Sequence, residues 1–372
     1  MSDESVAAEN LELRYLNEEE IQDLAESSKS AYPIRHYGTD FDVLGLVRRM
    51  QRGDIRIPNF SEDTHDLVTA GFQRGFVWTK NQMDRFIESL LLGYPIPGIF
   101  LVKQPDNKYL VLDGQQRLVT LQHFIEGTYR KRTFELENVS EEFKGLAYST
   151  LNDELRRQVD NSFIPATIVS IESEDEVAPV YQIFERLNSG GTQLTPHEIR
   201  VALYSGPFVD FIESLNGMDS WRDLYGVKNG RLRDHELITR ILALYADADG
   251  YSRPLKAFLN DFIDSRRRDT AHDHGEEQRL FAKATRLLGE SVGRAAFRKG
   301  SSQVNAARAE SLVVGLMWKL AQDPGFDSAG LSRGYELLDR DDQFAHATSR
   351  STADEGMVEM RLDSVKKAFG VN

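Results

Sequence analysis

Residues 98–125 read GIFLVKQPDNKYLVLDGQQRLVTLQHFI, and their order decides the fold. Two apolar runs, Gly98–Lys103 and Lys108–Leu112, flank Asp106-Asn107, which is a hairpin pattern. Asp113-Gly114 follows the second run at once, and Gln115–Ile125 then predicts a helix. The segment is thus strand, turn, strand, tight turn, helix. A glycine at a strand-to-helix turn lets a ligand approach the backbone. The first N–H groups of the helix face that spot, with the positive end of the helix dipole behind them, so an anion is favoured there. Arg117, in the first turn, can add a bidentate contact to a phosphate. The same residues also fit a plain capping box, with Asp113 as the cap and Gln116 reaching back to it. Residue types alone leave both readings open.

Working outward, Gln82–Leu92 predicts a helix. Met83, Phe86, Ile87, Leu90 and Leu91 share one face, Gly93 stops it, and Pro95 and Pro97 follow. Asp42–Gln51 is amphipathic through Val43, Leu44, Leu46 and Val47. Ile55-Arg56-Ile57-Pro58 predicts a short edge strand, where proline is tolerated. Phe163–Ile171, rich in β-branched residues, predicts another strand. Beyond it the pattern turns helical. Val177–Leu187 is followed by Asn188-Ser189-Gly190-Gly191. Thr195-Pro196-His197-Glu198 opens the next helix with a cap, a proline at the first position and a glutamate three residues on. Glu236–Tyr245, Pro254–Arg267, Glu276–Phe297, Ala306–Ala321 and Asp354–Phe369 predict helices only. The class is α+β, a small mixed sheet domain with helices followed by an all-helical C-terminal domain. The expected organisation is an acidic arm over 1–40 with a helical candidate at Glu18–Ser28, a mixed domain over 41–205 and a helical domain over 206–372.

The chain has 372 residues, no cysteine and a net charge of −14. Disulfides, cysteine-ligated zinc and thiol catalysis are excluded. Met1–Asn10 is acidic and lacks the apolar core of a signal peptide, and no stretch has the apolar length of a membrane span. The cytoplasm is the expected location, with no membrane partner. A protein that binds DNA chiefly by neutralising phosphates is usually basic. DNA contact is therefore expected only through a local patch, such as Arg266-Arg267-Arg268, or through a partner nuclease chain. The ordinary reading of that arginine run is a solvated helix end.

Two further clusters could carry chemistry. In Phe72-Gln73-Arg74, Trp78 and Gln82, the arginine can clamp a phosphate and the tryptophan can stack on a base; alternatively, Trp78 is core and Arg74 covers it. In Phe184-Glu185-Arg186-Leu187-Asn188-Ser189-Gly190-Gly191 with Thr195, Glu198 and Arg200, Asn188 and the glycine amides can form an anion nest, and Glu198 can position a water. A helical hairpin with good caps explains Gly190, Thr195 and Glu198, but not the grouping of Arg186, Asn188 and Arg200. His272-Asp273-His274 lacks a third metal ligand. No HExxH, GxxxxGK[ST] or GxSxG motif occurs.

In order, these clusters resemble the N-terminal, GmrS-like domain of the GmrSD-type restriction systems, itself similar to the ParB/sulfiredoxin fold. The resemblance is carried by Ile57-Pro58, Gln73-Arg74, Trp78, Gln82, Ser89-Leu90, Gly93, Pro95-Ile96-Pro97, Asp113–Arg117, Phe184–Asn188, Leu194, Glu198 and Arg200, and then by Asp234-His235-Glu236 with Arg240. It implies binding and hydrolysis of a nucleoside triphosphate (ATP, GTP or CTP) with Mg²⁺, in defence against foreign or modified DNA. It implies that Gly114, Gln115 and Arg117 hold phosphate, with Gln73, Arg74, Trp78, Asn188 and Arg200 completing the nucleotide site. Asp113, Gln116, Arg117 and Glu198 form the implied catalytic set, with Asp113 on the metal. Two departures stand out: Asn59–Gly71 interrupts the run from Ile57-Pro58 to Gln73-Arg74, and no histidine-asparagine-histidine nuclease pattern follows residue 250. A partner chain is therefore the expected cutter. The alternatives are a metal-dependent nuclease built on Asp113 and Glu198, or a nucleotide-gated sensor without catalysis. The oligomeric state is open.

Overall fold

A computed structural model describes residues 35–57, 78–104, 106–170, 180–181, 183, 195–268, 273–300 and 302–371. The chain divides into two compact units, one over 31–191 and one containing 192–372.

The first unit is built on a five-stranded mixed sheet. Its strands are β1 (His36–Asp42), β2 (Ile55–Arg56), β3 (Ile99–Lys103), β4 (Tyr109–Asp113) and, after a small separate hairpin of β5 (Thr128–Tyr129) and β6 (Arg132–Thr133), β7 (Phe163–Ser170). The sheet order is β1-β7-β3-β4-β2. β3 and β4 are the antiparallel hairpin expected around Asp106-Asn107, and Asn107 takes a left-handed φ of 60° at its tip. β2 is an edge strand, parallel to β4. β7 pairs parallel with β3 and antiparallel with β1. Its alternation buries Ile164, Ala166 and Ile168 in the core. His36–Asp40, assigned by sequence to the acidic arm, belong to β1.

Among the described residues this unit also contains the helices α1 (Val43–Gln51), α2 (Lys80–Leu91), α3 (Gln115–Glu126) and α4 (Asp153–Asp160). α1 starts where the Asp42 carboxylate accepts from Gly45 N. Thr79 caps α2 in a full capping box with Gln82. The apolar faces of α1, α2 and α3 meet the sheet in one core that includes Leu46, Met83, Ile87, Leu101, Val111, Leu118 and Phe124. Asp84 and Glu88, buried on α2, accept hydrogen bonds from the backbone of Glu137, Asn138 and Ser140 and so bind that loop to the helix.

The second unit is helical throughout its described residues: α5 (Pro196–Leu203), α6 (Pro207–Asn216), α7 (Asp219–Tyr225), α8 (Arg233–Asp247), α9 (Leu255–Arg268), α10 (Gly275–Ser291), a 3₁₀ turn (Gly293–Phe297), α11 (Ala306–Gln322), α12 (Ser328–Asp339), α13 (Asp342–Ala347) and α14 (Glu355–Phe369). α11 is buried along most of its length. The helix expected over Glu276–Phe297 is broken at Gly293, whose φ of 71° leaves the right-handed region. The candidates Glu18–Ser28 and most of Val177–Leu187 lie outside the described residues. No described helix is long and apolar enough to cross a membrane.

Candidate functional site

β4 delivers the chain to the turn through an irregularity. Phe100 pairs with Asp113 but Leu101 with Val111, so Leu112 is an extra residue just before Asp113. Such a bulge re-aims the residue that follows it. Gly114 then adopts φ 96° and stands at the N-cap of α3. A Cβ there would lie 2.4 Å from Ile99 Cγ2, and the backbone region is one that side chains disfavour. Glycine is required on both counts. Asp113 is therefore not the cap that one reading of the sequence made it; Gly114 stands at the cap position and itself offers no side-chain hydrogen bond.

Asp113 faces Arg117 instead. Arg117 Nη2 donates to Asp113 Oδ2 at 2.9 Å and to the Gly98 carbonyl at 3.0 Å. One guanidinium thus ties the helix start to the end of β4 and the approach to β3. The Arg117 side chain is 16% exposed and that of Asp113 is 51% exposed. Arg117 Nε is buried with no partner among the described residues. Among the described residues the turn therefore has a cation with an unused N–H, a half-solvated carboxylate and a glycine at the helix cap.

Gln116 and Trp78 meet at this turn. Trp78 N donates to Gln116 Oε1 at 3.1 Å, and the half-buried indole packs edge-on against Phe86 at 5.6 Å. Gln115, beside them, is half-buried. Gln82 belongs to the cap of α2: its Oε1 accepts from Thr79 N at 2.9 Å. Gln73, Arg74 and Asn188 lie outside the described residues.

Glu198 and Arg200 are side chains of α5, in the helical unit, and both are fully buried. Glu198 Oε2 accepts from Thr195 N at 2.6 Å, and Thr195 Oγ1 accepts from Glu198 N at 3.1 Å. Arg231 pairs with the same carboxylate at 3.0 Å. Arg200 Nε donates to Asn260 Oδ1 at 2.8 Å, and its Nη1 reaches His197 Nδ1 at 2.8 Å. His197 Nε2 lies 2.8 Å from His235 Nδ1. An arginine can only donate, so His197 Nδ1 is an acceptor and its proton sits on Nε2, directed at His235. Burial pushes the His197 pKa well below its ordinary value. Burial also lowers that of His235, to about 4, against the opposing pull of Glu213 and Asp234. Sequence reasoning quoted both histidines inside motifs but did not pair them.

The other candidates are consumed locally. Arg266 pairs with Glu277 at 2.9 Å and Arg267 with Asp264 at 2.6 Å. His274 Nδ1 lies 2.9 Å from Glu277, and its ring stacks on Phe211 at 4.5 Å. Among the described residues no group of three His, Asp or Glu could hold a metal ion. A groove of about 710 Å³ in the helical unit is lined by Asp219, Asp223, Arg286 and Glu290, and holds none of the residues expected at the site.

Residues 45–205 match a family described as the N-terminal domain of the GmrSD restriction endonuclease. The match runs from α1 through α5 and so includes Asp113–Arg117, Glu198 and Arg200. An uncharacterized protein of Methanocaldococcus jannaschii is 21% identical across 44% of this chain. The chain spans 41% of that relative's length.

Proposed function

We propose that this chain, whose residues 45–205 are a GmrSD-type N-terminal domain with a restriction-related role, holds the phosphates of a nucleoside triphosphate at Asp113–Arg117 and hydrolyses the nucleotide. The observation that carries the reading is the start of α3, with Gly114 in a left-handed conformation at its cap beside the Arg117 guanidinium, whose buried Nε has no partner among the described residues. The glycine, at φ 96°, lets the chain turn tightly from β4 into α3 where a side chain would strike Ile99. The helix start supplies N–H groups and a positive dipole end. Arg117 adds a full charge and is pre-oriented by Asp113 and the Gly98 carbonyl, which occupy Nη2 and leave Nε for an incoming oxygen.

The donor set fits Mg²⁺ of a particular kind. Asp113 has one oxygen on Arg117 and half its surface in solvent. A single such carboxylate suits a magnesium ion held mainly by phosphates and water rather than by a protein cage. When bound, the ion would neutralise charge on the transferred phosphoryl group. Gln116 contributes by position: Trp78 N fixes its carbonyl and links the start of α2 to the turn. Glu198 and Arg200 are assigned to the packing of α5, because Glu198 is held by Thr195 and Arg231, and Arg200 by Asn260 and His197, with Arg200 Nη2 left without a hydrogen-bond partner among the described residues.

The test is phosphate release from ATP, GTP and CTP, with nucleotide affinity measured for wild type and Arg117→Ala. Loss of the guanidinium is expected to cost about 1.5–3 kcal/mol of binding, roughly tenfold to a hundredfold. Unchanged affinity in a folded variant would remove Arg117 from the site. Plasmid nicking without phosphate release would assign the chain to direct nucleases instead.

A further inference from the structure

Arg266 and Arg267, of the arginine run that stands out in the sequence, are neutralised by Glu277 and Asp264. A different basic run is not. β5 and β6 form a hairpin in which Thr128 pairs with Thr133 and Tyr129 with Arg132, leaving Arg130 and Lys131 as the two-residue tip. Arg130, Lys131 and Arg132 are all exposed. None has a carboxylate partner among the described residues. The nearby Glu126 is engaged by Gln51 and Gln122.

The tip is also built against backbone preference. Arg130 has φ 49° and Lys131 φ 62°. Positive φ at both central positions is the demand of a type I′ hairpin turn, which asparagine-glycine satisfies readily. Here two long cations occupy it, without a glycine. The root of the hairpin is firm: Phe134 is fully buried, its N–H bonds to the Gly127 carbonyl at 2.9 Å, and Tyr129 packs against His123 at 5.4 Å. A strained tip on a fixed root displays three cations without a carboxylate partner among the described residues, Arg130 lying over the Tyr129 ring at 5.1 Å, in a chain of net charge −14.

We infer that the Arg130-Lys131-Arg132 hairpin is a contact for the phosphodiester backbone of duplex nucleic acid. A two-stranded ribbon is narrow enough to enter a major groove. A protein partner is less well matched, since Thr128 and Thr133 flank the tip and Tyr129 is turned to His123, leaving no apolar anchor. A lipid surface is recognised by larger basic clusters or by inserting apolar side chains, and the tip has neither. The hairpin follows α3 directly, so it stands one helix length, roughly 18 Å for twelve residues, from the turn at the other end of α3. The inference does not depend on the nucleotide reading.

The experiment is binding of a short fluorescent duplex by the full chain across a salt series. Arg130→Asn, Lys131→Gly and Arg132→Thr are combined, which installs the sequence that the turn geometry prefers. Three lost phosphate contacts should lower the slope of log K against log salt by about 2.7, at ~0.9 each. Affinity should fall at least about tenfold near 0.1 M salt. The thermal midpoint should hold or rise, which excludes unfolding as the cause. Arg130→Lys with Arg132→Lys should retain binding. Duplex binding that is absent in wild type, or unchanged in slope in the triple variant, overturns the inference. So does tip-dependent capture of phosphatidylserine vesicles without capture of duplex.

Discussion

Arginine meets carboxylate in two different ways in this protein. At Asp113–Arg117 the carboxylate stands half in water, while the mostly buried guanidinium has an N–H to spare. In the helical unit, Glu310 of α11 is fully buried between Arg240 of α8, at 2.6 Å, and Arg361 of α14. Burial alone would raise the Glu310 pKa, but the two facing guanidinium groups overcome it and hold the carboxyl below its ordinary value. A solvated pair is worth little, so a phosphate can take over its arginine at small cost. A sealed triad cannot be opened without stranding charge. Polar residues alone therefore do not mark a site. Exchangeable partners do.

The comparison is broken most directly at Glu310. Glu310→Ala should lose about 3–5 kcal/mol of stability, because Arg240 and Arg361 are then buried without a counter-charge. Urea unfolding of the full chain reads this through the helical transition. A loss below about 1 kcal/mol would mean that the triad is as dispensable as a surface pair.

The next effect tests the sealed network under acid. His197 and His235 are both held neutral by burial. Their folded pKa values lie below the unfolded value of 6.5, so the unfolded chain binds more protons as pH falls. The stability they contribute is fully present above pH 6.5 and is lost as pH drops toward 4, the folded value for His235. By pH 5 the loss at His235 alone should be roughly 2 kcal/mol, from 1.36 kcal/mol per pH interval. Urea midpoints between pH 7.5 and 5 measure it, and His197→Gln/His235→Gln should flatten the dependence. A wild-type curve already flat over that range would refute it.

The legible parts of the sequence are those governed by near neighbours. The β3–β4 hairpin, the capped start of α5 at Thr195 and the stop of α2 at Gly93 follow from a few adjacent residues. β1 was not legible, because His36–Asp42 is mostly exposed and becomes a strand only by pairing with β7 far along the chain. The β5–β6 hairpin escaped notice because its tip lacks the asparagine-glycine signal. At the turn itself, the five residues predicted a strand-to-helix turn but not its wiring. Gly114 rather than Asp113 holds the cap position, and it must be glycine because Ile99, from another strand, leaves no room for a side chain. The link from Arg117 to the Gly98 carbonyl is likewise a tertiary contact. The helical unit hid its histidine pair for the same reason, since α5 and α8 bring it together.

The smallest stability change should come from Asp113→Asn. The amide oxygen can still accept from Arg117, and the charge it removes is half in solvent, so the cost should stay below about 1 kcal/mol. The effect on nucleotide should be larger and of two signs. Without magnesium, loss of a negative charge beside the phosphate position should tighten binding, because like charges repel. With magnesium, turnover should fall, because the carboxylate proposed to meet the ion is gone. Equilibrium binding with and without a chelator separates these outcomes from simple damage to the fold. If Asp113→Asn instead destabilises the protein as much as Glu310→Ala, the pair at the turn is a structural clamp. Arg117 would then not be free to exchange its carboxylate for a phosphate, and the distinction between the two arginine–carboxylate arrangements would fail at the half proposed to hold nucleotide.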